Sequence, residues 1–202
     1  MYRIILASAS PRRKEIMETM GIKYEVMASN AEEVVSETRP EEMVKAVAGL
    51  KTGPIAQKIN ETRASGECCV IIGADTMVFL QEHALGKPKD ETDAIRMIAM
   101  LAGNTHKVIT GVNIRILDGS GKNTELSFAV CTEVAVRPMT QEQIEDYVST
   151  GEPMDKAGAY AIQGKFGIFL QGIAGDYYNV MGFPIAEIYA ALLEQGIDIK
   201  NQ

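Results

Sequence analysis

The chain has 202 residues, 46% of them hydrophobic, which is enough to bury one substantial core. Its formal net charge of −7 disfavours nucleic acid and anionic membrane surfaces as partners, so we expect a small anionic ligand met by a local cluster of Lys and Arg. The three cysteines, Cys68, Cys69 and Cys131, are a poor framework for disulfides, and no segment approaches the roughly 20 apolar residues of a membrane span, so we expect a cytoplasmic protein.

A strand, a loop and a helix are predicted at the start of the chain. Residues 4–7 form a short apolar run, and apolar residues recur at helical spacing after Pro11. Ser10 is typical of a helix N-cap, Pro11 of the first helical position and Gly21 of the residue that follows a helix. A short second strand is expected over residues 24–27.

The next elements are a broken helix and a buried strand. Residues 39–60 have a helical pattern, but Gly53 and Pro54 should break or kink it, so two helical pieces are predicted. Residues 70–74 are continuously apolar, which indicates a strand buried on both faces that ends at Asp75.

The second half of the chain carries its own boundary signals. They predict a helix capped by Asp90 that ends at Gly103, a strand over 107–117, a turn over 118–121, a return strand over 126–136, a helix opened by a capping box of Thr140 and Gln143, and a last helix over 184–196. Residues 151–164, dense in Gly and charge, form either a hinge or a functional loop. The whole pattern predicts an α/β or α+β chain with a mixed sheet, as a single domain over residues 1–202.

The loop between the first strand and helix is the first candidate site. Ser8 and Ser10 offer hydroxyls, Arg12 and Arg13 offer guanidiniums, and the helix N-terminus offers backbone N–H groups, a set that suits a phosphate. The alternative is that Ser10 only caps the helix and the two arginines are solvated surface charges.

Asp75 is the second candidate. A carboxylate at the carboxyl end of a buried strand lies where open α/β sheets place their ligands, and it can act as a general base or hold a divalent metal. The alternative is a residue that caps a helix or stabilises a turn.

Several other charged residues have two interpretations each. Lys87 and Lys89 lie just before a helix, and Lys51 lies on one, so each either neutralises phosphate or is an ordinary solvated charge. Glu33, next to another Glu, is either a metal ligand or part of a solvated acidic face. Gln163 has an amide that can read the edge of a base.

The ordered set of motifs resembles the Maf family over nearly the whole chain. The motifs are, in chain order, LASASPRR from Leu6, GADT from Gly73, GKP from Gly86, EPMDKAGAY from Glu152 and GDYYNVMG from Gly175. The resemblance implies a fold related to the inosine triphosphate pyrophosphatases, an elongated mixed sheet flanked by helices with a cleft between two lobes. It also implies hydrolysis of nucleoside triphosphates to the monophosphate and pyrophosphate with a divalent cation, Mg²⁺ or Mn²⁺.

The resemblance also assigns catalytic roles. Asp75 matches the proton acceptor of the family, and Glu33 matches an acidic position associated with metal and water. Lys51 and Lys87 match lysines on the phosphate side, and Asp75 with Glu33 would hold the metal.

Three further positions resemble the branch of the family that acts on dTTP and UTP rather than the branch that prefers 7-methyl-GTP. They are Arg12, Thr76 and Gln163, whereas Ser8, Ser10, Arg13 and Lys89 are expected to be general substrate contacts.

We expect a homodimer and no stable nucleic-acid partner. The rival hypothesis is a regulator of cell division that binds a nucleotide or a protein without turnover.

Overall fold

The structure, a computed structural model, describes residues 1–29 and 35–202. The strands in this part of the chain are β1 (Tyr2–Leu6), β2 (Glu25–Val26), β3 (Cys68–Leu80), β4 (His83–Leu85), β5 (Thr105–Leu117), β6 (Asn123–Val136) and β7 (Leu170–Ala174). The helices are α1 (Pro11–Thr19), α2 (Pro40–Thr62), α3 (Glu91–Leu101), α4 (Gln141–Ser149), α5 (Tyr177–Val180) and α6 (Ile185–Glu194).

The strands form one mixed sheet, as predicted. Its order is β2-β1-β3-β5-β6-β7, and β4 pairs with β3 outside this path. β1 is parallel to both β2 and β3, whereas β4 and β7 are antiparallel to their neighbours β3 and β6. The α/β class with a mixed sheet is therefore confirmed.

Backbone contacts divide the chain into two compact units. The first consists of Met1–Asp75, Thr110–Val130 and Gly182–Gln202, and the second of Thr76–Ile109 and Cys131–Met181. Each has an apolar core: in the first, α2 packs on β3 through residues such as Ile55, Ile59 and Ile71, and in the second Phe166 is fully buried. A single domain with a cleft between two lobes stays a prediction.

Most predicted helix boundaries are confirmed. Asp90 caps α3 by accepting from the Asp93 backbone N–H at 2.8 Å, and Thr140 with Gln143 forms the predicted capping box of α4. Ser10 is the N-cap residue of α1, but its side chain makes no capping hydrogen bond to the described residues. Gly21 follows the helix with φ of +68°, a left-handed conformation that glycine adopts without strain.

The prediction of two helical pieces around Gly53 and Pro54 is wrong, because α2 is one continuous helix. An interior proline costs a helix about 3 kcal/mol. Burial on both sides of Pro54 offsets this cost: Val44, Val47 and Ala48 are buried before it, and Ile55, Ala56 and Ile59 after it.

The prediction that the buried strand ends at Asp75 is also wrong, since β3 continues for five more residues to Leu80. The strand passes from the first unit into the second, where Val78 and Phe79 are buried. The burial of these two side chains stabilises the extended strand beyond Asp75. Asp75 is therefore an interior strand residue.

The short elements β4, β7 and α5 were not predicted. They have between three and five residues, too few for a periodic pattern to emerge. Residues 151–164, predicted as a hinge or a functional loop, contain the short 3₁₀ turns Glu152–Asp155 and Ala157–Ala159. None of the described helices is both long and apolar enough to cross a membrane.

A buried histidine in the second unit makes the stability depend on pH. His106 is 1% exposed, its Nε2 lies 2.8 Å from the Tyr160 hydroxyl, and burial lowers the pKa of its imidazole to about 4. In the unfolded chain this group takes up a proton below about pH 6.5, whereas the folded protein resists protonation until about pH 4. The neutral His106 side chain therefore contributes fully to the free energy of unfolding above about pH 6.5, and this contribution is lost as the pH falls towards about 4.

We expect the free energy of unfolding to fall by about 2 kcal/mol more between about pH 7.5 and about pH 5 in the native protein than in a His106→Gln variant. Urea titrations at both pH values measure this difference. His83→Gln, a change at an exposed histidine, is the control and should keep the native pH dependence. Equal pH dependence of the native protein and His106→Gln would contradict the assignment.

Candidate active site

The register of the parallel strands places two candidate segments at the same edge of the sheet. Leu6, the last residue of β1, is paired with Ile72 of β3, and the Ala7 N–H donates to the Ile72 carbonyl at 2.8 Å. The two strands run in the same direction, so the loop that starts at Ser8 leaves the sheet beside the stretch of β3 that carries Asp75. Both segments belong to the first unit.

Ser8 and Arg13 form a buried hydrogen-bonded pair inside this loop. They are 6% and 8% exposed, and Arg13 Nη1 donates to Ser8 Oγ at 3.0 Å. Arg13 Nε donates to the Gly182 carbonyl at 2.8 Å, and the Ser10 N–H donates to Ser8 Oγ at 3.2 Å. Arg13 thus links the loop to the chain before α6, a structural role that the sequence does not indicate.

Arg12 and Ser10 differ from this pair because both are only half-buried. They lie at the N-terminal end of α1, where the helix dipole and the backbone N–H groups favour an anion. The residues of the loop do not distinguish the two arginines, and only the family resemblance gives them different roles; in the structure Arg13 is buried and Arg12 is more accessible. Contact of either one with a substrate stays a prediction.

Lys51 and Asp75 form an ion pair. Lys51 Nζ donates to Asp75 Oδ1 at 2.7 Å and to the Ala74 carbonyl at 3.3 Å. The two side chains are only 15% and 14% exposed. Lys51 and Asp75 are 24 positions apart in sequence, and the packing of the helix on the sheet brings these predicted residues together. Partial withdrawal from water strengthens the attraction between the charges and raises the cost of removing either partner.

The Asp75 carboxylate suits a role as proton acceptor or as a ligand of a hard cation. Oδ1 is engaged with Lys51, and no donor from the described residues is seen at Oδ2. Mg²⁺ is a hard cation that binds oxygen ligands such as carboxylates. Glu33, the other predicted ligand, lies outside the described residues, and within those residues no group of three or more His, Cys, Asp and Glu side chains is placed to hold a metal.

The remaining predicted residues belong to the second unit. Thr76, the residue after Asp75 on β3, is half-buried, whereas Lys87, Lys89 and Gln163 are exposed. The segment with the two lysines is fixed at both ends: the Gly158 N–H donates to the Gly86 carbonyl at 3.0 Å, and the Lys89 N–H donates to Asp93 Oδ2 at 3.1 Å. Its lysine side chains therefore extend into solvent from a well-held backbone.

Glu152 holds the backbone next to Gln163, a role not predicted from the sequence. Its Oε2 accepts from the Lys165 N–H at 3.0 Å and its Oε1 from the Tyr147 hydroxyl at 3.1 Å. Burial, together with the charge of Glu152, raises the pKa of Tyr147 above its ordinary value, so the hydroxyl remains a donor. A side chain at Gly164 would overlap the Glu152 carboxylate. The sequence signal was an acidic residue inside the EPMDKAGAY motif.

Thr52 is a second residue whose role the sequence did not indicate. It follows Lys51 on α2, is fully buried, and hydrogen-bonds to Asn113 of β5. No spacing rule links residues that are 61 positions apart in sequence.

Comparison with known proteins gives a consistent family. The family model described as "Maf-like protein" matches residues 3–195. A protein from Agathobacter rectalis named "dTTP/UTP pyrophosphatase" is 44% identical over 98% of this chain and 100% of its own length. Proteins of the same name from Lachnoclostridium phytofermentans and Bacillus cereus are 46% and 40% identical, with all of both chains covered in each case.

Among solved structures, that of the Staphylococcus aureus Ham1 protein has a TM-score of 0.47 and 16% identity, covering 96% of this chain and 100% of that chain. A likeness of this degree carries no argument about activity.

Proposed function

The chain belongs to the Maf family, and on that premise we propose that it is a nucleoside triphosphate pyrophosphatase that hydrolyses dTTP and UTP to the monophosphate and pyrophosphate. The observation that carries the proposal is the Lys51–Asp75 pair at 2.7 Å, in the same unit as the anion-suited loop that starts at Ser8. The names of the full-length relatives support the choice of substrates.

The residues of the first unit supply the chemistry in this proposal. Asp75 takes the proton of a water molecule that attacks the α-phosphorus, and pyrophosphate leaves. Lys51 orients the carboxylate through Oδ1 and adds positive charge near the phosphates. The N-terminus of α1 offsets part of the roughly four negative charges of a triphosphate.

We propose that a divalent cation, Mg²⁺ or Mn²⁺, is required. Asp75 and Glu33 would hold it, with phosphate oxygens and water completing the ligand set. Such an ion would neutralise phosphate charge and polarise the phosphoryl group. The carboxylate of Asp75 fits this role, because its Oδ2 atom accepts no hydrogen bond from the described residues.

The residues of the second unit are assigned to phosphate binding and base selection. Lys87 and Lys89 are exposed ammonium groups on a fixed backbone, as suits contacts to a mobile pyrophosphate group. Gln163 and Thr76 are proposed to select the base through donors and acceptors. Glu152 supports Gln163 by fixing the adjacent backbone.

Three further properties are proposals that follow from the family and from general expectation. They are a cytoplasmic location, a homodimer, and the lack of a stable nucleic-acid partner; the net charge of −7 supports the last of these.

We expect pyrophosphate release from dTTP and UTP to exceed release from CTP, 7-methyl-GTP and inosine triphosphate, in the presence of Mg²⁺ or Mn²⁺. The Asp75→Asn variant should keep nucleotide binding and lose turnover by at least about 100-fold, since it retains the size of the side chain but cannot accept the proton. Coupled pyrophosphate assays and equilibrium dialysis with dTTP measure the two properties.

The outcomes separate the two hypotheses. No turnover of any nucleotide by the native protein, with binding retained, favours a regulator that binds without hydrolysis. Near-native turnover by Asp75→Asn would exclude Asp75 as the base while leaving the pyrophosphatase activity in place.

Arg12 is expected to affect which base is chosen. A guanidinium only donates hydrogen bonds, so it matches the O4 acceptor of thymine and uracil and not the amino group of cytosine. Arg12→Ala should lower kcat/KM for dTTP and UTP by about tenfold and for CTP much less, as measured by competition between nucleotides. Arg39→Ala, at a side chain that is 78% exposed, is the control. Equal losses on every nucleotide would place Arg12 on the phosphates instead.

A further inference from the structure

We propose that Thr52 is a positioning residue that holds Lys51 against Asp75, through a polar network, buried at Thr52 and Asn113, that ties α2 to β5 and β6. The effect of Thr52 on catalysis rests on the proposed pyrophosphatase function. The contacts that support this role lie within the first unit.

The Thr52 hydroxyl is the centre of this network. Thr52 Oγ1 lies 2.5 Å from Asn113 Oδ1, to which it donates, and it accepts from Arg115 Nε at 3.2 Å. Asn113 Nδ2 and Arg115 Nη2 both donate to Glu125 Oε1, at 2.7 and 3.0 Å. Thr52 and Asn113 are 0% and 2% exposed, so loss of one partner leaves a buried polar group unsatisfied.

The methyl group of Thr52 rests on β3 close to Asp75. A Cβ atom built on Gly73 would lie 2.6 Å from Thr52 Cγ2 and 3.0 Å from the Ala48 carbonyl oxygen. The helix therefore approaches the strand more closely than any other residue at position 73 would permit. Gly73 is two residues before Asp75, and the intervening Ala74 provides the carbonyl that accepts from Lys51 Nζ.

A second close approach fixes the same helix one strand further along. A Cβ atom on Gly111 of β5 would overlap the backbone of Val44 in α2. Thr52 and Val44 are about two helical turns apart, so the two contacts resist both sliding and rotation of the helix. The hydroxyl network adds a directional restraint that apolar packing lacks.

The position of the helix matters because Lys51 is long and flexible. With the helix at its present height along β3, the ammonium lies 2.7 Å from Asp75 Oδ1, and a shift of the helix would change the conformation that the side chain must adopt to reach it. A displacement of about 1 Å at a reacting group can lower a rate by about 100-fold. Thr52, the next residue, fixes that height through its hydroxyl, whereas its methyl group packs against Gly73.

Two substitutions separate positioning from packing. Thr52→Val keeps the shape of the side chain and removes the hydroxyl, whereas Thr52→Ser keeps the hydroxyl and removes the methyl group. Thr132→Val is the matched control, since Thr132 is equally buried and hydrogen-bonds to Asp176 and Asn179 in the second unit. Both valine variants should lose stability, but only Thr52→Val should disturb Lys51.

The primary measurement is the isotope-labelled side-chain ammonium resonance of Lys51, assigned by its loss in Lys51→Arg. We expect Thr52→Val to shift or broaden this resonance, and Thr52→Ser and Thr132→Val to leave it in place. An unchanged resonance in Thr52→Val overturns the inference, whatever the activity. If that variant does not fold, Arg115→Met removes the Nε donor from a partly exposed position and should shift the resonance; no shift overturns the inference in the same way.

Kinetics on dTTP form the second measurement. Thr52→Val should lower kcat by about tenfold and leave KM within about twofold, with Thr52→Ser close to native. A native protein that hydrolyses no nucleotide would overturn the proposed function, and the resonance would still decide the positioning role. If the native protein hydrolyses dTTP and Thr52→Val has an unchanged kcat, the proposed effect of Thr52 on catalysis is wrong, and its structural role is not affected.

Discussion

The close packing of helix α2 on strands β3 and β5 is the constraint on which the candidate site depends. Gly73 and Gly111 permit this approach, because any side chain at either position would overlap the helix. The approach brings Lys51 Nζ to 2.7 Å from Asp75 Oδ1 in a setting where both side chains are about 85% withdrawn from water. Ions are costly to withdraw from water, so a pair at this depth is sustained by direct hydrogen bonding and a rigid frame.

The predicted functional residues are divided between the two compact units. The first unit holds the ion pair and the loop in which Ser8 and Arg13 are buried partners, so its groups are fixed before any ligand arrives. In the second unit Lys87, Lys89 and Gln163 are exposed, and their backbone is held by contacts such as that of Glu152 with Lys165. The first unit therefore offers groups fixed by burial, and the second offers exposed groups on a fixed backbone.

Sequence reasoning succeeded where the cause is local. The N-terminal boundary of α1, the Asp90 cap and the Thr140 capping box depend on neighbouring residues, and each is confirmed. It failed where packing decides: Pro54 does not end α2, and β3 continues beyond Asp75. The pairing of Lys51 with Asp75 was not predicted, because the family resemblance assigned Lys51 only to the phosphates. The network of Thr52 joins α2 to β5 and β6, and Thr52 and Asn113 are 61 positions apart in sequence. The role of Glu33 stays a prediction.

The central claim is that Lys51 and Asp75 act as one catalytic unit. Single-turnover hydrolysis of dTTP by the native protein, Lys51→Met, Asp75→Asn and the double variant tests it most directly. If the two residues act together, the double variant is about as slow as the slower single variant, because either single change already abolishes their joint contribution to the rate. If the two losses in rate multiply instead, the residues act independently and the account is contradicted.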